Sequence, residues 1–392
     1  MEISEGKPST GTAGPVDRPP DPANLSRVIS TPVPGGVHVL MTTGTPDDDS
    51  LYQYFLDDAG HHPLDDLAGK FGAALTRGET LGAGLFRGGI PPDLTCRATT
   101  HTDHHIDMVL VDGDGAEKFM LTSYRRAWPT DTSELEMLSD LIGPHAPELV
   151  GRIEVEVHGH RYTLGTIRRI PTGITGHDMS ASRIRAQYFS HEDSLAVGRT
   201  IRYVHDSLLM AFPYRWVPAQ AIGRRLEERL AGFVSREPAL AEHAPWIRDS
   251  YRSLTGEMLI QRIHGNLTAK HIWLEDGRCV VGGWEGDVRL PRRERIPMGS
   301  PFHDLATLQS TTFSACGYDV PWLKKVMTSF FEGYGEPMLT LPMSLFILDT
   351  TCWDAATPGH RDGNLGEFLA WFRENIVPVF DQMEPSVFHR PA

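Results

Sequence analysis

Cysteine is sparse. Cys96, Cys279, Cys316 and Cys352 lie far apart and form no CxxC pair. That argues against a disulfide framework or a structural zinc site and fits a reducing compartment. No apolar run reaches the roughly 18 residues of a membrane span. The N-terminus begins Met-Glu without the basic-then-apolar pattern of a secretion signal. A cytoplasmic location is therefore expected. Clustered positive charge is missing too: lysine is scarce and the formal net charge is −14. A nucleic-acid groove or an anionic membrane surface needs clustered Lys and Arg, so neither is expected as a partner. The acidity itself reads as a solvated surface. Hydrophobic residues at 40% and charged residues at 22% fit a globular protein. A single core rarely serves more than about 300 residues, so 392 residues imply two or three subdomains.

Residues 1–30, rich in Pro, Gly, Ser and Asp, bury too little apolar area to offset ordering and are expected to form a disordered tail. A small α+β cap is expected over 31–95. In it 37–43 and 51–56 read as strands, 65–76 as a short helix, and the Gly-rich 81–88 as irregular. A β-rich segment follows over 96–170. Strands 106–111 and 117–124 flank the turn DGDG, and 150–158 and 161–169 flank Gly159. Between these hairpins a helix should start at Thr132 or Ser133, with Glu134 and Glu136 in its first turns. From 171 to 392 the chain reads as mainly helical. Val197, Ile201, Val204 and Leu208 share one helical face; Leu226, Leu230 and Phe233 mark a second helix, and Ile247, Tyr251 and Leu254 a third. The segment IHGNL (263–267) then precedes a hairpin over 271–284 that turns at Asp276-Gly277.

Phosphoryl transfer needs a Gly-rich loop over the phosphates, a strand Lys steadied by a helix Glu, an Asp to take the hydroxyl proton, and another Asp for magnesium. QRIHGNLTAKHIWLEDGRCVVGGWEGD (261–287), followed by PRRERIPMGSPFHDLATL (291–308), resembles the maltokinase pattern QRIHGDLHLGQVL, VVIDFEGE, ERR, SPLRDVAGML. AVGRTIRYVH (196–205) is similar to the family's LGRxxAxxH helix. FMLTSYRRAWPTDTSELEML (119–138) is similar to its LILKxFRRxxPGxNPDLEV. The resemblance covers 96–335, and the cap more loosely. It implies an α+β, bilobal, protein-kinase-like (aminoglycoside phosphotransferase-like) fold with a small N-terminal α+β cap.

The departures fall on the chemistry. The family's strand Lys aligns with Thr122, its HGD Asp with Asn266, the neighbouring magnesium ligand with His271, and the ID Asp with Gly283. Its phosphate loop aligns with ATTHTDHHID (98–107), which contains no glycine. His264, Gly265, Glu136, Glu285, Gly286 and Asp304 keep the family pattern, and of these His264 and Asp304 read as holders of the catalytic loop. An amide is no useful base, and loss of a catalytic carboxylate costs several orders of magnitude in rate. Mg-ATP binding is therefore expected to be weak or absent, with no other cofactor and no metal site implied.

HTDHHID is the sharpest local feature. If extended, it places His101, Asp103, His105 and Asp107 on one face. In a kinase fold it would face His271, Glu285 and Asp287, with His104 beside it. His101, His105, His271, Glu285 and Asp287 are thus the candidate catalytic groups if the protein is a repurposed enzyme. The plainer reading is a solvated loop that drifted once nucleotide binding was lost. Arg125 and Arg126 read as packing or solvated charge, and Trp246, Trp322 and Trp371 as core. LMAFPYRW (209–216) reads as buried packing, with a partner surface as the alternative. Trp353 and Asp354 lie where maltokinases place sugar contacts, in the region that departs most from the family. Three functions remain open: a pseudokinase binding a small-molecule, sugar-like or peptide ligand or a partner protein; a tailoring enzyme of lyase or cyclase type; and a sugar or aminoglycoside kinase with displaced catalytic groups. The Arg-, Ala- and Gly-rich, Lys-poor composition suggests an actinobacterial origin, where such proteins serve storage-sugar or natural-product pathways.

Overall fold

The computed structural model describes residues 25–33, 36–43, 51–56, 84–91, 94–101, 105–127, 138–185, 190–275, 278–284, 298–317, 319–338, 340–357 and 365–383. The chain divides at Gly173/Ile174 into two compact units, with Val280–Glu294 grouped with the first, β-rich one.

Two antiparallel sheets build the β-rich unit. The smaller takes the order β1-β2-β3-β8, from Ser26–Val33, Gly36–Thr42, Leu51–Leu56 and Arg126–Ala127. The larger takes the order β4-β9-β10-β7-β6-β5. Its strands are β4 (Leu85–Gly88), β5 (Thr95–His101), β6 (His105–Val111), β7 (Glu117–Tyr124), β9 (Leu149–Val157) and β10 (His160–Arg169). Both expected hairpins are present. At the first, the Asp112 carboxylate accepts from the N–H groups of Asp114 and Ala116, and Gly115 takes φ 82°. At the second, His158 and Gly159 both take positive φ, 51° and 79°, as a two-residue turn of matching twist requires.

The stretch 31–95 shares its core with the strands that follow. Leu40, Leu51 and Phe55 pack in one cluster with Leu110, Leu121, Ile153, Leu164 and Ile167. A buried polar bridge joins the two sheets: His38 Nε2 lies 3.0 Å from Gln53 Oε1, and Gln53 Nε2 donates to Ser123 Oγ and the Tyr124 carbonyl. Two expectations need correction. Residues 26–30 belong to β1 rather than to a disordered tail, because Val28, Ile29 and Val33 pack against this core. Residues 85–88 are a strand, not irregular: Gly88 and Gly151 let β4 and β9 close up, where a Cβ on Gly88 would meet the Val150 carbonyl oxygen at 2.3 Å. The helix expected over 65–76 and the start of the one at 132–133 lie outside the described residues; 138–142 are helical.

The second unit is mainly helical. Its helices are α1 (Gly176–Arg185), α2 (His191–Ala211), α3 (Ala219–Arg236), α4 (Ala244–Arg252), α5 (Pro301–Ala315), α6 (Val320–Tyr334), α7 (Leu341–Ala355) and α8 (Leu365–Asn375). Short strands β12 (Arg215–Pro218), β13 (Glu257–Arg262) and β16 (Met298–Gly299) form one sheet. Strands β11 (Ile174–Thr175), β14 (Ile272–Glu275) and β15 (Arg278–Val281) form another. The stripe Val197, Ile201, Val204, Leu208 is buried as expected, and so are Leu226, Leu230, Phe233, Ile247, Tyr251 and Leu254. Ser190 caps α2 by accepting from the Asp193 N–H. Helices α2 and α6 meet through glycine: a Cβ on Gly198 would stand 2.0 Å from the Phe330 carbonyl oxygen, and one on Gly333 2.1 Å from that of Leu195. Trp322 is buried, but Trp371 is 47% exposed and not core. Nor is LMAFPYRW buried packing throughout. Met210, on the last turn of α2, is 88% exposed and Tyr214 48%, because Pro213 follows where α2 stops and the chain leaves toward β12.

Candidate functional site

Each unit carries a polar constellation near positions singled out by the sequence. In the β-rich unit a row of residues crosses the larger sheet, Asp107, Thr122, Thr166, Arg152 and Arg87 standing opposite one another strand by strand. Alternation decides what faces outward. Phe119, Leu121 and Ser123 of β7 are buried, so Met120, Thr122 and Tyr124 take the other face. There Thr122 Oγ1 donates to Asp107 Oδ1 at 2.7 Å, and the Tyr124 hydroxyl lies 3.0 Å from Thr166 Oγ1. At the far end Glu154 is buried between Arg152 Nε at 2.8 Å and Arg87 Nε at 3.0 Å. Its charge is compensated where an isolated buried carboxylate would be costly.

The helical unit holds the loop that follows β13. Asp304, in the first turn of α5, is fully buried. Its carboxylate accepts from the backbone N–H groups of His264 and Gly265, each at 2.8 Å. His205 Nε2 lies 3.2 Å from it, and His205 Nδ1 lies 2.8 Å from the Tyr334 hydroxyl. Burial pushes the Asp304 carboxyl up, but the hydrogen bond and charge of His205, with His264 and His303, outweigh it and hold it below the usual carboxylate range. In the neutral His205 ring an ionised Asp304 fixes the proton on Nε2, and Nδ1 then accepts from Tyr334, whose hydroxyl is pushed well up by burial and stays neutral.

The loop then folds on its own main chain. The Asn266 N–H donates to His264 Nδ1 at 3.3 Å, and the Asn266 carbonyl accepts from His271 Nδ1 at 2.7 Å. A carbonyl cannot donate, so His271 Nδ1 carries a proton, and in the neutral ring the lone pair is on Nε2. The two imidazoles stack with centroids 5.6 Å apart. The Ala269 N–H donates to Thr311 Oγ1 of α5 at 2.9 Å.

The sequence candidates distribute unevenly. His101 ends β5 and His105 opens β6, so the segment is a hairpin and not one extended run. Thr100, not His101, stands opposite Asp107, while His101 stands opposite Ile106 and His105 opposite Tyr124. A single alternating face through 101–107 is therefore ruled out by the chain reversal. His101 and His105 belong to the β-rich unit and His271 to the helical one. Asp103, His104, Glu136, Glu285, Gly286 and Asp287 lie outside the described residues. Gly283 takes φ 73°, a region glycine enters without strain. Asp354 accepts from Ser310 Oγ at 2.7 Å. Trp353 packs edge-on against Phe233 under Arg236. Sequence reasoning did not single out His205 and Tyr334; the terminal His of the LGRxxAxxH-like helix was the available signal.

No family model matches the sequence. Among solved structures, a glucosamine kinase (crystal form B) superposes with a TM-score of 0.62 at 14% identity, over 93% of this chain and 98% of that one. A glucosamine kinase in complex with glucosamine, ADP and inorganic phosphate gives 0.61 at 16% identity, over 95% of both chains. The chain has a protein-kinase-like fold of mixed α+β type. At such identities the likeness establishes the fold and leaves the activity to the residues. Among the described residues no helix is long and apolar enough to cross a membrane, and no group of three or more His, Cys, Asp or Glu is placed to hold a metal.

Proposed function

We propose that this protein is a kinase-fold pseudokinase: a protein that binds a small, sugar-like or peptide ligand, or a partner protein, without ATP-dependent phosphotransfer. The observation that carries the reading is the hydrogen bond from Thr122 to Asp107. By resemblance to maltokinases, position 122 belongs to the lysine that neutralises nucleotide phosphates. Here it presents a neutral hydroxyl tied to a carboxylate, which repels phosphate where the chemistry requires attraction. Asn266 stands where the resemblance puts the base, and an amide cannot take the hydroxyl proton. Gly283 offers no side-chain oxygen to magnesium. The solved glucosamine kinase with glucosamine makes amino sugars and sugars the first ligands to try. The test is calorimetric titration of the full chain with Mg-ATP. No saturable heat is expected up to millimolar nucleotide, and clear micromolar binding would overturn the reading.

A second reading has one observation in its favour. The Asn266 carbonyl holds His271 in the tautomer whose Nε2 is basic, the form a general base needs. In that reading the protein is a repurposed catalyst of lyase or cyclase type, with His271 as base. Loss of product from the native pathway in a folded His271→Ala variant would favour it over the pseudokinase. Unchanged product would dismiss it.

A further inference from the structure

A second polar group lies inside the helical unit, apart from the loop held by Asp304. Asp349 of α7 is fully buried, and neither carboxylate oxygen has a hydrogen-bond partner among the described residues. Tyr251 of α4 is fully buried as well, and its hydroxyl is likewise unpartnered. Asp349 and Arg229 both act electrostatically on Tyr251, and helices α3, α4 and α7 pack on one another. Arg229 Nη2 of α3 stands 3.0 Å from Asp349 Oδ2. That balances the charge, but the approach is out of line for a hydrogen bond. Arg229 is 29% exposed, so part of its side chain reaches solvent.

Buried polar atoms in native proteins are matched, and those without a protein partner are matched by ordered water with about three hydrogen bonds. Charge selects among occupants. Burial pushes the Asp349 carboxyl above its usual range against the pull of Arg229, so a metal cation would meet the guanidinium beside a weakened anionic ligand, and an anion would meet the carboxyl oxygens. A water molecule can donate to Asp349 while accepting from Tyr251, which satisfies both with no net charge. We infer that Asp349, Tyr251 and Arg229 enclose an ordered-water site where α3, α4 and α7 meet. The water completes the hydrogen bonding of that junction and ties α4 to α7.

Tyr251→Phe keeps the ring and removes only the hydroxyl. With a bridging water, the change strips that water of one partner, and the melting temperature of the full chain should fall by about 2–4 °C. An orphaned hydroxyl is a burden to the fold, so an unchanged or raised melting temperature would overturn the inference. A crystal structure of the wild type at about 1.8 Å is the second measurement. Density for a water within hydrogen-bond reach of both Tyr251 Oη and an Asp349 oxygen is expected. A direct Tyr251–Asp349 hydrogen bond, or a cation with short oxygen contacts, would refute it.

Discussion

Acid should weaken this protein before its carboxylates are protonated, and the cause is two histidines, the buried His38 and the half-buried His303, one in each unit. His38 is lowered to about 4 by burial, against a raising hydrogen bond with Gln53. His303 is lowered to about 4 by burial and by Arg229, against Asp304. In the unfolded chain each takes up a proton near 6.5; in the native chain each stays neutral until about 4. The folded value is depressed, so stability is fully present above 6.5 and drains as pH falls toward about 4. The gap between those values corresponds to about 3 kcal/mol for each histidine, a large share of the few kcal/mol by which a domain is stable. Denaturant unfolding at pH 7.5, 6.5, 5.5 and 4.5 measures the decline. In His38→Gln, which keeps a polar side chain beside Gln53 but cannot be protonated, the decline of the β-rich unit should be shallower by about 3 kcal/mol over the window. Parallel curves for wild type and variant would refute the assignment. So would an NMR titration placing His38 near 6.5.

Two further outcomes follow from the helical unit. Gly198→Ala forces a methyl against the Phe330 carbonyl oxygen across the α2–α6 contact, and should destabilise by about 3 kcal/mol; a melting temperature within 1 °C (about 0.5 kcal/mol at most) of wild type would contradict the close approach. Asn266→Asp should leave maltose, glucosamine and aminoglycosides unphosphorylated in a radiolabelled ATP assay, because Thr122 and Gly283 remain. Transfer by that single variant would return the protein to the kinases.

The fold was legible because periodicity and turn chemistry speak directly. The α2 stripe Val197, Ile201, Val204, Leu208 and the His158-Gly159 turn each follow from a local rule, and the family-like segments supplied their order. Strands β1 and β4 were missed for one shared reason. Their residues look like tail and loop in isolation, and become strands only because partner strands, the adjacent β2 and the distant β9, offer both hydrogen bonds and a core. Asp304 was legible as the loop's anchor, since its place in HDLA follows the resemblance. The buried pair Asp349–Arg229 was not: the two residues lie on different helices, and no spacing connects them. Nor did any pattern reveal that Thr122 would bond Asp107, because that contact depends on the register between β6 and β7.

The two constellations differ in how their substitutions are held, and that difference bears on reversibility. Main-chain groups carry the shape of the loop after β13. Asp304 grips the N–H groups of residues 264 and 265, and residue 266 contributes its own N–H and carbonyl. A change of side chain at 266 therefore costs the scaffold little, so the chemistry of that side chain and the fold are separable. At position 122 the side chain itself is engaged. A lysine placed there would meet the Asp107 carboxylate that Thr122 now contacts at 2.7 Å, and an ion pair formed on the sheet face would hold its ammonium in place. On the pseudokinase reading, Thr122→Lys alone would give a lysine committed to Asp107 and not one poised for phosphate, so nucleotide binding is expected only if Asp107 changes with it.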